Sequence, residues 1–138
     1  MKITMISNYI NHHQIPFSKA LCNMPGVEYC FIQTEPMEEE RVKMGWGLDA
    51  KTLPFVKLLY ECEEECRQLI DESDILLIGW MEREDLVKGR LESGKFTMRM
   101  SERLYREGQY KFISPRGLIR KYKEHTRFRN SNVYLLCC

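Results

Sequence analysis

The chain has 138 residues, 43% of them hydrophobic and 30% charged, with a formal net charge of +1. That size and composition suit a single domain with a real apolar core, and the balanced charge gives no global field for nucleic acid. No apolar run approaches the roughly 20 residues needed to cross a bilayer, and the N-terminus lacks the apolar core and cleavage site of a signal peptide, so a cytoplasmic protein is expected.

Lys2 to Ser7 is apolar and β-prone and reads as a first strand. Asn8 to Asn11 follows as a loop. A helix is expected to start around His12 to Pro16, because proline fits a first turn whose backbone N–H has no helical partner. Its buried stripe would be Ile15, Phe17, Ala20, Leu21 and Met24, with Pro25-Gly26 as the stop. Val27 to Gln33 reads as strand two. Residues 34 to 52, acidic around Gly45-Trp46-Gly47, read as a long polar loop with one short helical turn, and such loops are uncommon in compact domains unless functional or mobile.

Pro54 to Leu58 is a short strand. Leu59, Cys62, Cys66, Leu69 and Ile70 recur at helical spacing, which puts both cysteines on a buried stripe. Asp74 to Trp80 is the clearest strand, apolar enough to be covered on both faces. Glu82 to Leu91 has helical composition, and Phe96 to Met100 is another strand with Met98 and Met100 in the core. Ser114-Pro115 is an N-cap followed by a first-turn proline, opening a helix whose apolar face is Leu118, Ile119, Tyr122 and Phe128. Asn132 to Leu136 is the last strand. Strands alternating with helices predict an α/β, Rossmann-like three-layer domain with a mainly parallel sheet. The chain stops on that apolar strand at Cys138, where a buried strand ordinarily leads into a further element, so continuing polypeptide is expected.

Six cysteines are present, but no CxxC pair occurs and no histidine stands near Cys62 and Cys66. Reduced thiols and no metal site follow.

In an open parallel sheet, ligands bind outside the carboxyl ends of the strands. Three loops are thereby selected: Asn8 to Gln14, Gly79 to Arg83, and Ser101-Glu102-Arg103. The first carries adjacent histidines beside Asn8 and Asn11. Imidazole titrates near neutrality, which suits a general base, so His12 and His13 are the candidate catalytic residues. Glu102 could bind a sugar hydroxyl and Arg103 a phosphate. Glu82 fits a ligand or a helix-start carboxylate. Neither GxGxxG nor GxxxxGK[ST] occurs, and Gly is absent from residues 7 to 14, which counts against a dinucleotide-binding domain or a P-loop NTPase. Between Lys111 and Arg129 stand seven basic residues against the single acid Glu124. This segment, Arg116 to Arg129 above all, could touch an anionic membrane surface or could be a solvated face. No nucleic-acid motif accompanies it.

The run Ile6-Ser7-Asn8-Tyr9-Ile10-Asn11-His12-His13-Gln14-Ile15-Pro16-Phe17, the Ser101-Glu102-Arg103 turn and the Arg-rich helix leading to Val133-Tyr134-Leu135-Leu136 resemble N-terminal domains of GT-B glycosyltransferases, specifically family 4-like bacterial enzymes of surface polysaccharide synthesis. The likeness spans essentially the whole chain, with Asn11-His12-His13 standing where many relatives have a Gly-rich turn. It implies an acceptor-binding domain facing a second, nucleotide-sugar-binding domain that this chain lacks, and no cofactor or metal, since helix dipoles and basic side chains stabilise the departing diphosphate. It further implies a glycan or lipid-linked acceptor, an isolated chain that is folded but inactive, and Asn8, Asn11, Glu82, Glu102 and Arg103 on the acceptor side of the cleft. Two alternatives stand beside it: a standalone, non-catalytic α/β binding or regulatory module, and a small-molecule enzyme on a flavodoxin-like fold.

Overall fold

The computed structural model of the chain describes residues 1–101, 114–124 and 131–137. Six strands, β1 (Lys2–Ser7), β2 (Glu28–Gln33), β3 (Val56–Leu58), β4 (Ile75–Ile78), β5 (Thr97–Ser101) and β6 (Val133–Cys137), form one sheet in the order β3-β2-β1-β4-β5-β6. Every pairing is parallel. The helices are α1 (Gln14–Cys22), the single turn α2 (Glu39–Arg41), α3 (Glu63–Glu72), α4 (Lys88–Glu92) and α5 (Pro115–Glu124). The protein is a Rossmann-like three-layer α/β domain.

The alternation of side chains along each strand builds the layers. Ile6, Ile32, Leu76 and Ile78 bury one face against Cys66 and Ile70 of α3 and Leu91 of α4. Ile3, Met5, Phe31 and Leu77 bury the other, with Ile15 and Leu21 of α1 packed against them. Covered on both sides, β4 needs the continuous apolar run Ile75-Leu76-Leu77-Ile78 that marks it in the sequence. Cys66 belongs to the core, as the helical spacing predicts, and Cys62, half-buried at the N-cap of α3, packs against it.

Three expectations about helices need correction. The innermost residue of α1 is Ser18, which is fully buried, whereas Phe17 and Met24 are exposed. The Ser18 hydroxyl lies 2.9 Å from the Tyr29 hydroxyl, so a polar side chain is satisfied where an apolar one was expected. Glu82 to Leu91 is not one helix: a 3-10 turn (Glu84–Leu86) and the short α4 meet at Val87, where φ −106° and ψ −2° interrupt the regular helix. That break lets Leu86, Val87, Arg90 and Leu91 all turn inward. Finally, Leu118, Ile119 and Tyr122 of α5 are exposed rather than buried; Phe128 lies outside the described residues.

The strand order turns back on itself once. From β1 the chain moves outward to β2 and β3, then returns to the other side of β1 for β4, β5 and β6. The crevice beyond the carboxyl ends of β1 and β4 is the switch point where this fold ordinarily takes ligands.

Candidate functional site

The loops after β1, β2 and β4 are tied together beyond the ends of their strands. Gly79 N–H donates to Ile6 O at 2.7 Å, Asn8 N–H to Trp80 O at 2.7 Å, Thr34 N–H to Ser7 O at 2.9 Å and Glu35 N–H to Asn8 O at 2.9 Å. Ser7, itself buried, places its hydroxyl 3.1 Å from Trp80 O and 3.3 Å from Asn8 Oδ1. This lacing requires Gly79. A Cβ there would stand 2.7 Å from Ser7 Oγ and 2.9 Å from Ser7 Cβ, closer than such contacts allow.

The first loop is held from two more directions. Ile10 N–H donates to Oε1 of the buried Gln33 at 3.2 Å, and Gln33 Nε2 reaches the Tyr60 hydroxyl at 3.4 Å. Asn11 Oδ1 accepts from His13 N–H at 3.0 Å and Gln14 N–H at 3.3 Å, while Gln14 Oε1 accepts from Asn11 N–H at 3.1 Å. This reciprocal pair is a capping box at the start of α1. It commits the Asn11 amide oxygen to the backbone and leaves His12 and His13 on the exposed first turn, their rings 3.9 Å apart.

The acidic 34–52 segment folds back over this loop. It is built of α2, a π-helical turn (Val42–Trp46) and a 3-10 turn (Ala50–Thr52), with Gly45 at φ +82° supplying the left-handed step that brings Trp46 round. The Trp46 ring meets His12 edge-on at 5.4 Å. The Arg41 guanidinium lies 5.4 Å from the Tyr9 ring and 5.3 Å from the Trp46 ring, with Glu38 Oε2 accepting from its Nε at 3.1 Å. Cation–π contacts at these distances hold the segment in place. Sequence reasoning missed this cluster; the Gly45-Trp46-Gly47 triplet in a charged loop was its one local signal.

Two atoms on this rim stand out. Among the described residues, Thr34 Oγ1 and Glu35 Oε1 are the buried side-chain oxygens without a hydrogen-bond partner. Buried polar groups in folded proteins are nearly always paired, so unpaired ones mark capacity for water or a ligand. Both follow β2 directly, beside the backbone of Ser7 and Asn8.

No protein-family model, curated protein or solved structure matches this chain.

Of the sequence-derived site residues, Asn8, Asn11, His12 and His13 share the β1 loop, which is laced through Asn8 N–H to the β4 loop that carries Glu82. Glu82 is exposed. Its neighbour Arg83 is engaged elsewhere, with Nε 2.8 Å from Asp85 Oδ1 and a terminal nitrogen 3.2 Å from Glu63 Oε1. Arg83, seconded by Arg67, holds the Asp85 carboxyl down at about 2. Glu102 and Arg103 lie outside the described residues. A separate cavity of about 230 Å³, lined by Thr4, Tyr29, Cys30, Leu69 and Ser73 among others, sits toward the opposite end of the sheet. Burial pushes the Tyr29 hydroxyl up to about 12 and the Cys30 thiol up to about 11, so these two groups keep their protons at neutral pH.

Proposed function

We propose that this chain is the acceptor-binding half of a GT-B-type glycosyltransferase that moves a sugar from a nucleotide-sugar donor to a glycan or lipid-linked acceptor in surface polysaccharide synthesis on the cytoplasmic side of the membrane. The observation that carries the reading is the carboxyl rim at the β1/β4 switch point. Its loops are locked together by backbone hydrogen bonds, and they carry exposed imidazole and indole rings, His12, His13, Trp46 and Trp80, over the buried, unpartnered Thr34 Oγ1 and Glu35 Oε1 that follow β2. A saccharide needs such a surface: several hydroxyl partners, plus aromatic faces for its C–H bonds.

In this reading His12 or His13 orients or deprotonates the acceptor hydroxyl. Asn8 and Glu82 take acceptor hydroxyls, and Glu102 and Arg103 complete the acceptor side or meet the donor phosphate. Asn11, expected among the ligand contacts, acts instead by fixing the turn on which both histidines stand. The donor is bound mainly by a second domain, so the chain alone binds acceptor without transferring sugar.

A glycan array, followed by transfer assays with a panel of nucleotide sugars, tests this. Retention of particular saccharides, weakened in a His12→Ala/His13→Ala double variant, with no nucleoside diphosphate released, is the expected result. Transfer by the chain alone, or nucleotide sugars bound more tightly than every saccharide, contradicts it. Retention of saccharides by a protein whose natural polypeptide ends at Cys138 favours a binding module instead.

A further inference from the structure

Helix α3 starts differently from the other long helices of the domain. Its N-cap is Cys62, at φ −145° and ψ 57°, and no side-chain hydrogen bond caps the helix. By contrast α1 and α5 are started by Asn11 and Ser114, whose side-chain oxygens accept from backbone N–H groups of the first turn. The Cys62 thiol turns the other way. Its S–H donates to Leu58 O at 3.3 Å, and its Sγ lies 3.8 Å from Cys66 Sγ, one turn along. Cys66 N–H donates to Cys62 O at 3.1 Å, so the turn between them is closed. Cys66 is fully buried in the cluster that holds Leu59 and Ile70, whereas Cys62 is half-buried. Cys62 therefore serves neither as a cap nor as a fully buried core residue. The pair has one thiol that solvent reaches and one shielded beneath it. Among the described residues, no group of three His, Cys, Asp or Glu side chains is placed to hold a metal ion, so the further ligands of a structural zinc are missing.

We propose that Cys62 and Cys66 are a redox-modifiable dithiol, which hydrogen peroxide converts to a reversible disulfide. The geometry is close to what the bond needs. Residues four apart in a closed helical turn stand about 6 Å apart at Cα, within the range of about 4.4–6.8 Å that disulfides span. Side-chain rotation has only to bring the sulfurs from 3.8 Å to about 2.05 Å. Cys62 reacts first because it is the accessible thiol. Its sulfur attacks one oxygen of the peroxide. The O–O bond breaks, the thiol proton leaves with the other oxygen as water, and Cys62 becomes a sulfenic acid. The Cys66 sulfur then attacks the Cys62 sulfur. The S–S bond forms, the S–O bond breaks, and the hydroxyl departs with the Cys66 proton as a second water. One peroxide is reduced and the two thiols are oxidised. Burial, seconded by the adjacent Cys62, pushes the Cys66 thiol well above its ordinary range, which suits a resolving partner and not the first to react. The inference does not rest on the sugar-transfer reading, since neither thiol is among the residues that reading uses.

Peptide mapping of the whole chain without reductant tests it. Both thiols fall in one tryptic peptide, residues 58–67, cut after Lys57 and Arg67. The folded protein is treated with hydrogen peroxide, its remaining thiols are blocked, and it is then digested. This peptide is expected to be lighter by two hydrogens and to carry no blocking group, and dithiothreitol should restore both thiols. Cys66→Ala should leave Cys62 as a sulfenic acid that dimedone labels, whereas Cys62→Ser should leave the shielded Cys66 reduced. Unchanged circular dichroism confirms that these variants fold, and the wild-type map decides the question even where one does not. Cys62 and Cys66 both still free once the exposed Cys22 has been oxidised would overturn the inference. So would Cys62 linked to Cys30 or to a second chain, or dimedone labelling of Cys66 ahead of Cys62.

Discussion

The two rims of the sheet are built to opposite rules. At the amino rim, Arg90 is 1% exposed, and its guanidinium serves five acceptors: Ser73 O at 2.6 Å, Phe96 O at 2.9 Å, Asp74 O at 3.2 Å, Thr97 Oγ1 at 3.3 Å and Ile70 O at 3.4 Å. One side chain thus ties the end of α3 to the starts of β4 and β5. Beside it the Ser73 hydroxyl reaches Thr4 Oγ1 at 2.6 Å, the N-terminal amine donates to Gly26 O at 2.7 Å and Lys2 pairs with Glu72 at 3.0 Å. At the carboxyl rim the backbone is laced just as firmly, but Thr34 Oγ1 and Glu35 Oε1 are unpartnered and His12, His13 and Trp80 face solvent. Saturated polar groups hold a structure together, whereas spare hydrogen-bonding capacity costs stability unless something uses it. The difference marks the amino rim as structural and supports the proposal that the carboxyl rim is the one that binds.

Removing the amino-rim staple should have the largest effect. Arg90→Met leaves several buried carbonyls without donors and is expected to lower stability by about 3–5 kcal/mol, read as a lower denaturant midpoint. Arg90→Lys keeps the charge but not the fork, and should recover only part of the loss. Next comes Gly79→Ala, whose new methyl meets Ser7 at under 3 Å; overpacking of this kind costs about 1–3 kcal/mol, and the amide resonances of Asn8 and Trp80 should move with it. Asn11→Ala removes the capping box and should cost about 1 kcal/mol. Substituting the exposed His12 or His13 should stay within about 0.5 kcal/mol while weakening saccharide retention. That split of stability from binding is what the contrast between the rims demands.

A smaller effect is alkaline. Burial raises the Cys30 thiol from an ordinary 9.0 to about 11 and the Tyr29 hydroxyl from 10.0 to about 12. The folded state therefore keeps these protons while the unfolded chain sheds them. Their contribution is intact below pH 9 and is lost as pH rises through about 11 and 12, amounting to about 1 kcal/mol by roughly pH 9.5. Tyr29→Phe with Cys30→Ala should flatten this decline in a thermal-melt series.

The layered parallel fold is legible in the sequence because its signals are local. Ile75 to Ile78 could only be a strand covered on both faces, Cys62, Cys66 and Ile70 keep helical spacing, and Ser114-Pro115 starts α5 as its chemistry dictates. The strand-end rule also points to the Asn8 to Gln14 loop without coordinates. What the sequence hides is set by distant partners. Ser18 is buried because Tyr29 waits across the layer, Arg90 because carbonyls from three other segments converge on it, and Trp46 gains meaning only where the chain folds back onto Tyr9 and His12. Thr34 and Glu35 carry no local motif at all, and their interest lies in what they fail to bond.

Amide chemical-shift mapping with a saccharide retained on the array tests the division of labour most directly. Shifts confined to Asn8–Gln14, Thr34, Glu35 and Gly79–Glu82, with Ser73, Arg90 and Phe96 unmoved, are the predicted outcome. Shifts centred on the amino-end cavity at Thr4, Tyr29 and Cys30, with the carboxyl rim silent, would contradict the account.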